Sequence, residues 1–199
     1  MVSCNSVEVS SLPTPENDQI SVCDCIKSTK TSVDPNSELD AIMNCILSET
    51  KNDKDSFFIL LASTINNCNG FSKKISELSL SIAGYDTIQF STPTPKGCQS
   101  KLIGKWKDVL SDEIGYSMFY ENRVEHYKAD TLVGKWQILF EENCQVTYLV
   151  TEQSEVSPFP PNLGDTVIST TIGVKDKYVK NLLQINEIEI VTIGVKLEK

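Results

Sequence analysis

Leu102-Ile103-Gly104-Lys105-Trp106 recurs thirty positions later as Leu132-Val133-Gly134-Lys135-Trp136, and each copy opens a stretch in which apolar and polar side chains alternate. Alternation with a period of two belongs to half-buried strands. A glycine shortly before a tryptophan lets the backbone bend while the large indole turns inward, which is how a small sheet or barrel closes one end of its core. The repeat therefore predicts two similar strands around one apolar centre. It speaks for architecture, and no catalytic or nucleic-acid motif accompanies it.

From this repeat to the end of the chain, short strand-like segments follow one another at about ten-residue spacing. They are expected at 105–110, 116–120, 123–128, 134–140, 145–151, 166–174, 178–185 and 187–197, with antiparallel pairing as the natural arrangement. Glu121-Asn122, Glu141-Glu142-Asn143, Asn162-Leu163-Gly164-Asp165 and Asn186 supply the turns between them. Gly173 and Gly194, each between an Ile and a Val, are expected to kink two late strands and help the sheet curl.

The first hundred residues read differently. They hold six of the seven cysteines and the helical periodicities. Ser37 is placed to cap a helix carrying Leu39, Ile42, Met43 and Ile46 on one face. A second helix is expected to start after Asp53 or Asp55 and to run through Phe57, Phe58, Leu60, Leu61 and Ile65 to Asn69-Gly70; it is almost wholly apolar and so expected to be buried. Phe71, Ile75, Leu78 and Ile82 mark a third, ended by Gly84. The fold class predicted is thus α+β. A flexible tether at 1–22 precedes a cysteine-stapled helical module at 23–97 and an antiparallel β-barrel or curled sheet at 98–199, with the seam near Pro93, Pro95 and Gly97.

Seven cysteines are many for a reduced cytosolic domain, and an odd number leaves one apart. Cys4 is the candidate: Met1-Val2-Ser3-Cys4 is similar to the end of a bacterial lipoprotein signal, in which the cysteine is lipidated, and a free thiol on a polar tail is the competing reading. The other six suit disulfides better than zinc, because Cys23-Asp24-Cys25 is not a Cys-x-x-Cys knuckle and no second close pair or neighbouring histidine exists. The expected partition sets Cys23 and Cys25 against Cys45 and Cys68 and leaves Cys98 with Cys144.

The opening Leu-x-Gly-Lys-Trp, the aromatic Met118-Phe119-Tyr120, the second Gly-Lys-Trp strand and the closing Glu187-Ile188-Glu189-Ile190-Val191-Thr192-Ile193 together resemble the lipocalin-like domains of bacterial secreted and lipid-anchored proteins. The likeness spans about residues 101–199. It implies a barrel, often with an inner cavity, and mostly no assigned activity. Trp106, Phe119, Trp136, Phe140 and Tyr148 are the side chains expected to fill or line the interior. Trp106, Phe119, Trp136 and Tyr148 are the candidate ligand-binding residues, with Phe159 beside them on the stiff, proline-rich loop Val156–Asn162. That loop is either a contact point or a lid.

Charge narrows the partners. The halves 1–100 and 101–199 carry 12 acidic against 7 basic and 15 acidic against 11 basic residues. Neither offers the clustered cations that phosphate neutralisation needs, so nucleic acid is not expected. No apolar run is long enough for a membrane-spanning helix, so membrane contact is expected only through a lipid on Cys4. His126, the sole histidine, sits among polar neighbours and reads as solvated. Glu121 with Glu125 and Glu141 with Glu142 are the carboxylate pairs available for acid chemistry. Nucleophile elbows, phosphate loops, calcium loops and histidine metal patterns are lacking in the sequence.

The function expected is accordingly a non-enzymatic, extracytoplasmic binding or structural module, lipid-anchored or secreted, without cofactor or metal. Its partner would be a small apolar molecule or an envelope protein. A carboxylate-based enzyme or accessory, and a secreted inhibitor using the loop around Phe159, are the alternatives.

Overall fold

The computed structural model describes residues 16–29, 32, 34–50, 53–94, 98, 102–110, 115–154 and 161–197. Cys4 and Phe159 lie outside them. Four helices precede eight strands: α1 (Glu16–Ser28), α2 (Pro35–Glu49), α3 (Lys54–Asn67), α4 (Phe71–Ile82), a single 3-10 turn at Tyr85–Thr87, then β1 (Gly104–Asp108), β2 (Gly115–Phe119), β3 (Arg123–Lys128), β4 (Thr131–Glu142), β5 (Gln145–Gln153), β6 (Thr166–Lys175), β7 (Tyr178–Ile185) and β8 (Ile188–Lys196). α1 begins inside the stretch read from sequence as a tether, and it had no counterpart among the expected helices.

Asp34, not Ser37, caps α2. Its carboxylate accepts from Asn36 N and Ser37 N, each at 3.2 Å, with Pro35 at the first helical position, and the Ser37 hydroxyl itself donates to Asp34. Asp53 does the same for α3, accepting from Ser56 N at 2.8 Å. Val22, Ile26, Ile42, Ile46 and Phe71 form the bundle's core, and Cys23–Cys68 and Cys25–Cys45 staple α1 to the end of α3 and to α2. α3 is not buried throughout. Phe58 and Ile59 are 60% and 73% exposed, because only one stripe of a helix can face a bundle this small.

The strands form one closed barrel in which every strand pairs antiparallel with its neighbours in sequence and β1 returns to β8. This meander is the topology of an up-and-down barrel, consistent with the lipocalin-like resemblance. Tight turns hold it: Ala129-Asp130 and Asn143-Cys144 both adopt the left-handed conformation that two-residue hairpins require. Gly104 has φ +126°, a conformation L side chains avoid, as β1 begins. Two residues on, Trp106 packs against Gly194, where a Cβ would lie 3.3 Å from the indole. Gly194 thus admits a close neighbour.

The bundle is joined to the barrel by α4, not merely by the connector. Leu80 packs on Val191 and Ile193 at the outer face of β8, and Lys73 pairs with Glu189 at 3.3 Å. On the β1 side of β8 the last backbone bond among the described residues is Val109 N to Ile193 O at 2.9 Å; beyond it Val191 N donates to Ser76 Oγ, also at 2.9 Å, in a buried hydrogen bond. The connector then runs beside β6, with Ser91 bridging to Val174 and Phe90 seated against Gly173. Cys98–Cys144 ties it to the β4–β5 turn.

Candidate functional site

Inward positions on the strands enclose a cavity of about 320 Å³. Trp106 on β1, Phe119 on β2, Trp136 on β4 and Tyr148 on β5 all line it, so four of the five candidate residues come together in one chamber, as walls around a space rather than as a filled plug. Phe140 does not join them. A bulge between Ile138 and Phe140 slips the alternation by one residue, which turns Phe140 outward to 55% exposure and Glu141 inward.

The same chamber holds polar groups that were not anticipated. His126 lines it and is not solvated as expected. It shares the inner face of β3 with Val124, and Ser117 stands opposite it on β2. Ser117 Oγ and His126 Nδ1 are 2.8 Å apart. Either neutral tautomer makes this bond, with the hydroxyl donating to a bare Nδ1 or a protonated Nδ1 donating to the hydroxyl. Nε2 is sealed and has no hydrogen-bond partner, and the ring lies 4.3 Å from that of Trp136. Burial disfavours the imidazolium and pushes the His126 pKa down to about 4.

Asp108, on the inner face of β1 two residues beyond Trp106, has its carboxyl pushed up by burial, opposed by the hydrogen bond that Leu110 N donates to it at 2.8 Å. On the far wall Asn181 Oδ1 accepts from Thr171 Oγ1 at 2.9 Å. Strand alternation carried the signal for all of these. Once Trp106 and Val124 point inward, Asp108 and His126 must follow.

Towards the β4–β5 turn, Leu102, Phe119 and Tyr148 are shared with a second, outer hollow of about 360 Å³ that Glu121, Glu141 and Ile138 also line. Trp106 Nε1 donates to Leu102 O at 2.6 Å, which fixes the connector across this end. One carboxylate from each pair read in the sequence, Glu121 and Glu141, thus lines this hollow, and the other member of each pair does not. Glu125 belongs to the outer face, where Arg123 Nε and the Tyr127 hydroxyl both donate to it at 2.8 Å, and Arg123 first of all holds its carboxyl below the usual range.

No protein-family model, curated protein or solved structure matches this chain. The chamber is therefore interpreted from its own residues.

Proposed function

We propose that the protein is a non-enzymatic, extracytoplasmic binding module of lipocalin-like type that takes a small apolar ligand into its barrel. The observation that carries this reading is the cavity of about 320 Å³ walled by Trp106, Phe119, Trp136 and Tyr148. Pockets of about 300 Å³ and upward with apolar, aromatic walls and a few placed polar groups are the ordinary form of small-molecule sites. Three disulfides accord with folding in an oxidising compartment. Lipidation of Cys4 would hold the module at the envelope, and a processed, unmodified Cys4 in a lipoprotein-competent host would remove that part of the reading.

The test is a cavity-filling variant. Ser169 faces the chamber, so Ser169→Phe occupies it. Organic extracts of natively purified wild type, examined by gas chromatography and mass spectrometry, are expected to release a small apolar compound that extracts of the variant lack. Clean wild-type extracts together with no saturable binding of toluene by NMR would refute the proposal.

A further inference from the structure

The chamber's hydrogen-bond donors are not all answered by the protein. Trp106 Nε1 has Leu102 O, and Asn181 Oδ1 has Thr171 Oγ1. Trp136 Nε1 and Asn181 Nδ2 have no partner among the described residues. Both side chains line the cavity, and neither nitrogen is sealed in the way His126 Nε2 is. Donors that no protein acceptor occupies are free for an oxygen of whatever fills the chamber, and an occupant that offers none forfeits those hydrogen bonds.

Trp136 is also held for the purpose. Its indole stands between His126 at 4.3 Å and Tyr148 at 5.8 Å, and His126 is itself fixed by Ser117. Charge in the wall is balanced, since the two charged residues that line the chamber among those described, Lys107 and Asp108, are adjacent and opposite. A chamber without net charge gives no compensation for desolvating an ion. The volume, at ~30 Å³ for each water's share of the liquid, has room for about ten waters or one ligand of roughly ten to fifteen non-hydrogen atoms.

We infer that the occupant is a neutral, mostly apolar molecule bearing a carbonyl or ether oxygen, which accepts from Trp136 Nε1–H with Asn181 Nδ2 as the second donor. This rests on the reading of the chamber as a binding site and names the chemistry of what enters it.

The experiment uses the full chain labelled with ¹⁵N. Its two tryptophans give two indole N–H signals, and Trp136→Phe identifies which is which. The probes are acetophenone, cumene and benzoate, which match in heavy-atom count and differ in having a carbonyl, no polar atom, or a charge. Acetophenone is expected to move the Trp136 indole signal saturably while the Trp106 signal stays, and to bind about tenfold more tightly than cumene. Benzoate binds more weakly than either. In Trp136→Phe, and separately in Asn181→Leu, the preference for acetophenone over cumene shrinks towards parity. Equal binding of cumene and acetophenone, tighter binding of benzoate, or acetophenone binding with an unmoved Trp136 signal would each overturn the inference while leaving the chamber a binding site. Failure of all three probes to bind would take both readings down together.

Discussion

His126 makes the acid stability of this protein measurable at one atom. Its pKa lies at about 4 in the fold against 6.5 ordinarily, so the unfolded chain binds a proton over the interval where the native chain refuses one. The stabilisation is complete above 6.5 and is lost as the pH falls through 4. At ~1.4 kcal/mol for each tenfold change in proton affinity, the difference is on the order of 3 kcal/mol. His126→Gln removes the titration but keeps a polar group facing Ser117. Guanidinium denaturation at about pH 7.5 and about pH 3.5 is expected to show the wild type losing on the order of 3 kcal/mol more than the variant, with carboxylate effects common to both cancelling. Because the chain has one histidine, its ring Cε1 proton gives a single resonance whose midpoint reads the pKa directly. A midpoint near 6.5, or equal acid losses in the two proteins, would refute the burial argument.

Three further outcomes follow from the packing. Ser76→Ala strands Val191 N in a buried position and should lower stability by about 1–3 kcal/mol, with faster amide exchange at Val191. Gly173→Ala would put a Cβ 2.7 Å from Phe90 Cβ; the overpacking should cost about 1–3 kcal/mol and release the Ser91–Val174 bridge, seen as lost protection of the Ser91 amide. Replacing Cys98 and Cys144 with Ser opens a loop of sequence separation 46, for which chain entropy gives a loss of up to about 4 kcal/mol in chemical denaturation. No change there would mean that Trp106 and the Phe90 contact alone hold the connector.

Much of the barrel was legible because strand periodicity and turn chemistry agreed: β3 and β7 occupy the expected spans, and the antiparallel meander and the grouping of Trp106, Phe119, Trp136 and Tyr148 follow from alternation alone. The disulfides fall within the expected partition. What misled was non-local. Phe140 faces out because a bulge inserts one residue ahead of it, and no residue type announces that. His126 read as solvated because its neighbours on the chain are polar, whereas its neighbours in space belong to β2 and β4. Phe58 and Ile59 stand exposed because a helix of uniform hydrophobicity does not say which stripe its partners will cover. Gly173 and Gly194 read as kinks; Gly173 sits at a β6 bulge, and both make room, one for Phe90 and one for Trp106.

A closed barrel has no edges, yet β8 outlasts β1, and there a serine hydroxyl from α4 completes the ladder. The bundle is thus a structural guard for the sheet, and separating the two at the connector would uncover the Val191 amide together with the apolar side chains of Val191 and Ile193 that Leu80 covers. Strand segments of that kind recruit others of their own sort. The barrel expressed without its helices should therefore self-associate, even with every one of its own strands intact.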